Sequence, residues 1–189
     1  MSGRLSLLAA LLFSATVMAA PTQKDEVALL INQRLSFMKD VAGYKAVNHL
    51  PIEDLTQEAK VLTGSLADAE NLGLDGESVK PFIQAQMDAA KAIQYRYRAG
   101  WLSVPENQWR PQPLEQARAR IGALNLAILD AISIKLTQGE VVTDKKAFMQ
   151  ALNQTYLIDA DKERLWYSLE KITLKKKTCQ ATGPRKFKV

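Results

Sequence analysis

Apolar positions recur along most of this chain at helical spacing. From Val27 to Ala42, at about 100° per residue, Val27, Ile31, Met38, Val41 and Ala42 form one stripe, with Arg34 and Lys45 in the middle of it. The pattern predicts helices over about 24–48 and 51–72, the second opened by Pro51 and closed by Gly73 and the Leu-Asp-Gly run at 74–76. A third is predicted from a Ser78 cap, with Pro81 in its first turn, to about Trp101, and a fourth from Leu114 to about Thr137, closed by Gly139. Between them Pro105, Pro111 and Pro113 forbid regular structure. A short helix from Thr143 or Asp144 through Asn153, and a last one capped by Asp159 or Asp161 and reaching about Lys176, complete the reading. No stretch alternates with period two between turn residues, so the fold class is all-α, a bundle of about six helices.

The polar residues that share these apolar faces carry the chemistry. Arg34 and Lys45 point inward three turns apart, roughly 16 Å along the axis, on side chains long enough to converge. Asp54 and Glu58 lie one turn apart on one side of the second helix. The stripe of Ile83, Met87, Ala90, Tyr97 and Trp101 contains Gln94, and that of Leu114, Ile121, Ile128, Leu129 and Ile132 contains Arg118, while Arg120 falls well off it. A buried charge costs several kcal/mol unless paired, so three cations, two anions and an amide must meet one another or a ligand. An excess of one positive charge suits a small anionic ligand inside a helical bundle. Spacing alone leaves internal ion pairs as the other reading, because long cations also snorkel to a rim and acids complement a helix start.

Composition changes this picture at the two ends. With 189 residues and 47% hydrophobic content the chain can bury one globular core, which places a single domain over 20–174. The net charge of +5 belongs to the end: after Glu170 there are seven Lys or Arg and no acid, so 175–189 reads as a solvated basic tail. Apart from Phe187 it lacks interleaved aromatics, so no nucleic-acid partner is expected. Residues 1–19, with Arg4, an apolar run from Leu5 to Val17 and small residues before Pro21, read as a signal peptide cleaved after Ala19, with cleavage after Ala20 the poorer fit. Its apolar run is short for a membrane span, so the mature protein is expected to be periplasmic or secreted, without a membrane partner. Cys179 is the only cysteine and sits in the tail, where it reads as a spare thiol.

The segment QRLSFMKDVAGYKAVNHLPIEDLTQE, followed by MDAAKAIQYRYRAGW and then LEQARARIGALN, resembles the secreted, periplasmic-type (gamma) subclass of the all-helical AroQ chorismate mutases, in register over roughly 25–135. The motif is Arg, Lys eleven residues on, Asp nine further and Glu four after it, with KAIQYRY later. The resemblance implies the rearrangement of chorismate to prephenate, with no cofactor, no metal and no covalent intermediate, in a homodimer that holds each site within one chain. It further implies that Arg34 and Arg118 bind the two substrate carboxylates as forks, a geometry guanidinium suits. By the same resemblance Lys45 and Gln94 donate to the ether oxygen as charge develops there, Glu58 accepts from the substrate hydroxyl, and Asp54 supports the pocket.

Two positions depart from the family pattern. Gln57 stands where several relatives have Arg, and Ala90 where a Ser or Thr hydroxyl commonly touches a carboxylate; a neighbouring basic residue is the candidate compensation, which the sequence does not name. Two other functions share the scaffold: isochorismate-pyruvate lyase, which uses similar cations, and an exported helical binding protein that has lost turnover. His49, before Pro51, reads as a packing residue of the turn, and Trp101 and Trp166 as core or interface aromatics.

Overall fold

The computed structural model describes residues 25–140 and 144–176. The predicted leader at 1–19, the helix starts at Lys24 and Thr143, and Cys179 with most of the basic tail lie outside these residues. Seven helices are described: α1 (Glu26–Ser36), α2 (Met38–Val47), α3 (Leu55–Asn71), α4 (Gly76–Ser103), α5 (Leu114–Thr137), α6 (Lys145–Ala151) and α7 (Asp159–Leu169). Among the described residues the only β pairing is a single bridge, Leu74 with Leu174, and no helix is long and apolar enough to cross a membrane.

Several boundaries differ from expectation. The first predicted helix is two, α1 and α2, sharing Phe37 at φ −75° and ψ −8° as their joint; no glycine or proline marks the break. The second predicted helix starts at Leu55 instead of Pro51, because Asp54 caps it by accepting from the Gln57 N–H at 3.0 Å. The third starts at Gly76 under an Asp75 cap; Ser78 instead donates back to the Asp75 carbonyl at 2.7 Å, and Pro81 falls in the second turn. The last begins after Ile158, with Asp159 and Asp161 in its first turn, and ends at Leu169. Beyond it Ile172 is buried and the Lys175 N–H donates to Gly73 at 2.8 Å, closing the chain end against the turn between α3 and α4.

The core follows the predicted stripes. Val27, Ala28, Ile31 and Leu35 of α1 pack toward α5, where Ala117, Ile128, Leu129 and Ile132 are buried. α4, about 42 Å long at 1.5 Å per residue, is the central strut, and α2, α3 and α7 all pack against it. The proline-rich connection is pinned to α2. Trp109 stacks on Trp101 at 5.8 Å, Lys39 lies 4.8 Å over the Trp109 ring, and Glu106 accepts from Lys39 at 2.5 Å. Gly43 permits this approach, since a Cβ there would stand 2.4 Å from the Trp109 ring. His49 is exposed at φ 54°, turning the chain between α2 and the segment before α3. Trp166 is buried and Trp101 half-buried.

A seven-residue helix has little stability of its own, so α6 depends on docking. Its anchor is Phe148, fully buried with its ring 5.5 Å from that of Trp166. Phe148→Ala is expected to lower the free energy of unfolding by about 3–5 kcal/mol, read from urea denaturation followed by circular dichroism.

Candidate active site

Arg34 leaves the C-terminal turn of α1 and Lys45 that of α2, both on the buried face, and they are 4% and 6% exposed. Asp54 and Glu58 stand at the start of α3, Gln94 on the buried side of α4, and Arg118 one turn into α5. All six line one cavity of about 200 Å³, whose apolar walls include Met38, Val41, Ile52, Val61, Met87, Ala90 and Ile121. The structure therefore brings together every residue selected from the helical stripes. Arg118 and the two acids are half-buried at its rim, whereas Arg34, Lys45 and Gln94 are buried.

The partners inside are mostly neutral. Arg34 Nε donates to Asn125 Oδ1 at 2.6 Å and a terminal nitrogen reaches the Gln86 carbonyl at 3.4 Å, with no carboxylate at ion-pairing distance among the described residues. Burial accordingly pulls the Arg34 pKa down to about 10. Lys45 Nζ donates to the Ile52 carbonyl at 2.5 Å, an oxygen left free because Ile52 precedes α3 instead of lying inside it. Burial lowers the Lys45 pKa, the Asp54 charge opposes that shift, and Arg118 and Arg98 add to it. Gln94 Nε2 donates to the Ala90 carbonyl at 3.1 Å and touches only the weakly accepting Met38 sulfur at 3.7 Å besides; its Oε1 is buried without a partner.

The carboxylates have charged partners. Asp54 accepts from Arg118 at 2.9 Å with one oxygen and from the Gln57 N–H with the other; the backbone bond and the guanidinium hold its pKa below the usual carboxylate range. Glu58 accepts from the Asp54 N–H at 3.3 Å and from Lys91 Nζ at 2.8 Å. Two participants escaped the sequence reading. Asn125 lies seven residues after Arg118, on the same face of α5, and that spacing was a usable signal. Lys91, three residues before Gln94, opens the KAIQYRY run, and helical spacing alone does not tie it to Glu58 on another helix. Among the described residues no group of three or more His, Cys, Asp or Glu is placed to hold a metal ion.

The family model for chorismate mutase type II matches residues 25–95, from α1 through most of α4. A secreted chorismate mutase of Yersinia pestis is 49% identical over 175 residues, covering 92% of this chain and 93% of that protein. The chain belongs to the type II chorismate mutases. A monofunctional chorismate mutase of Enterobacter agglomerans is 44% identical over 143 residues, 75% of this chain and 79% of that one. The crystal structure of the Yersinia pestis secreted chorismate mutase superposes with a TM-score of 0.78 at 52% identity, covering 81% of this chain and all of that one. A chorismate mutase of Burkholderia thailandensis, at 22% identity, has a TM-score of 0.64 over 80% of this chain and 99% of its own, which speaks for the shared fold alone. The chorismate mutase type II match includes five of the six selected residues, and Arg118 lies beyond it.

Because Asp54 has a lowered pKa in the folded protein, its contribution to stability is present above the unfolded carboxylate value near 4 and is lost as pH falls through the folded value. Asparagine also caps a helix, so Asp54→Asn isolates the charge. The variant is expected to be less stable than wild type at pH 7 by under about 1 kcal/mol, the side chain being partly exposed, with the gap narrowing at acid pH as Asp54 takes up its proton. Urea midpoints at neutral and acid pH check this.

Proposed function

We propose that this protein is an exported chorismate mutase that converts chorismate to prephenate. The observation that carries the reading is one cavity in which cations from α1, α2 and α5 and an amide from α4 converge, in a chain belonging to that family. Export carries over from the secreted Yersinia pestis relative. It agrees with a leader at 1–19 preceding a single domain over 20–174 and a basic tail at 175–189.

In this reading Arg34 and Arg118 take the two carboxylates of the substrate. Arg34, held by Asn125, is an oriented fork; Arg118 turns from Asp54 to its ligand. The rearrangement is unimolecular, so the protein's work is to hold the folded, near-attack conformer and stabilise the charge that develops on the ether oxygen as its C–O bond breaks. Lys45 keeps two N–H groups beyond its bond to Ile52, and Gln94 one N–H whose only other partner is a thioether; both can serve that oxygen. Glu58 accepts the substrate hydroxyl, and Asp54 supports the pocket through α3 and Arg118. No cofactor or metal enters. The comparisons favour neither the lyase nor the idle binding module. A homodimer without nucleic-acid or membrane partners completes the reading. Exposed Val47, Leu102 and Val104, where α2 and α4 end, support an apolar contact between copies.

The test is the loss of chorismate absorbance with prephenate identified as product. Lys45→Ala is expected to lower kcat by about 10²–10³-fold, the scale of a lost preorganised donor next to developing charge. An amide donates at every working pH, so the kcat of wild type is expected to stay flat from about pH 5 to 8 and to fall in alkali, at lower pH than an ordinary lysine would impose. In Gln94→Glu, where donation requires a protonated carboxyl, the rate should rise toward acid. A wild-type rate that climbs steeply toward acid would remove Gln94 from this role.

A further inference from the structure

The charge balance of the cavity includes a residue that the reading above does not use. Its charged lining consists of Arg34, Lys45, Lys91 and Arg118 against Asp54 and Glu58. Without Lys91 the excess is one positive charge; with it the excess is two, equal and opposite to a dicarboxylate. Lys91 is a half-buried residue of α4 whose ammonium lies 2.8 Å from Glu58 Oε2 and 3.6 Å from Asp88. Asp88 is engaged elsewhere, with Arg164 at 2.7 Å and Gln84 at 2.9 Å, so Glu58 is the nearer and less compensated partner.

We propose that Lys91 is a positioning residue of the site, which aims the Glu58 carboxylate and cancels its charge against the incoming dianion. This rests on the functional reading given above. A carboxylate suits a hydroxyl because it is a strong acceptor, yet at the half-buried rim of the cavity it also repels both carboxylates of the ligand. Lys91 resolves that conflict through geometry. One oxygen of Glu58 is fixed by the Asp54 N–H at 3.3 Å and the other by the ammonium, so the carboxylate is held at both ends and each oxygen keeps a free lone pair. The Glu58 hydrogen bond in turn raises the Lys91 pKa, so the cation persists across the working range.

The experiment is a two-by-two set of kinetic constants for chorismate: wild type, Lys91→Gln, Glu58→Gln and the double variant, with Lys91→Arg as the conservative control. Lys91→Gln is expected to raise KM about tenfold with kcat within about threefold, and Lys91→Arg to stay within about threefold of wild type in both. In the Glu58→Gln background there is no carboxylate to cancel, so adding Lys91→Gln should change KM by less than about twofold. An unchanged KM in Lys91→Gln, a loss confined to kcat, or an equal rise in KM in both backgrounds would each overturn the proposal, the last by making Lys91 a direct substrate ligand. Lys91→Met repeats the measurement should circular dichroism find Lys91→Gln unfolded. Wild type that turns over chorismate while Lys91→Gln matches it overturns this inference alone; wild type without turnover overturns the functional reading as well.

Discussion

A guanidinium buried to 4% exposure with only an amide and a carbonyl as partners is held at a cost, and the rest of this fold is arranged around supporting it. Arg34 is almost wholly removed from bulk solvent, and its pKa falls to about 10 because nothing of opposite charge offsets the desolvation. Lys45, with no carboxylate at ion-pairing distance among the described residues, rests on a backbone oxygen. The acids that could have neutralised these groups are held at the rim on Arg118 and Lys91. The cavity therefore carries an excess of positive charge, and its apolar walls lower the local dielectric around that charge.

Holding charge in this way requires a stable frame elsewhere. α4 packs against α7 on the side away from the cavity, through Phe82, Leu165 and Leu169, all buried to about 1% or less. α1 and α5 are joined by an apolar contact that contains Ile31, Leu35, Ile128 and Ile132. The loop between α4 and α5 is tied to α2 by Trp109 over Gly43 and by Asp40, whose carboxylate accepts from Gln112. These contacts fix the positions from which the inward side chains start. A preorganised donor needs such fixation, since its value to a reaction is that it does not have to reorganise when charge develops.

The start of α3 shows how one backbone boundary serves several groups. Because the helix begins at Leu55, the Ile52 carbonyl stays outside the helical ladder and can accept from Lys45. Asp54 caps α3 and holds Arg118, while its own N–H holds Glu58. A helix running from Pro51 would have engaged that carbonyl and removed the cap.

Much of this was legible in the chain itself. Periodicity alone put Arg34, Lys45, Gln94 and Arg118 on apolar faces, because a helical stripe fixes which side of an element a residue occupies whatever it packs against. The motif spacing identified the family because it records residues that α1, α2 and the start of α3 present to one cavity. What periodicity cannot carry is the local competition at boundaries. The joint at Phe37 has no breaker residue, and Asp54 prevailed over Pro51 as the start of α3 through a local cap bond from the Gln57 N–H three residues on. Nor could it select among polar residues on different helices. Asn125 joined the site because α1 and α5 pack face to face, and Lys91 because α3 and α4 place Glu58 within reach of its ammonium. The sequence determined which groups face inward; only the tertiary structure decided which of them meet, since contact between helices depends on crossing and register that no single helix encodes.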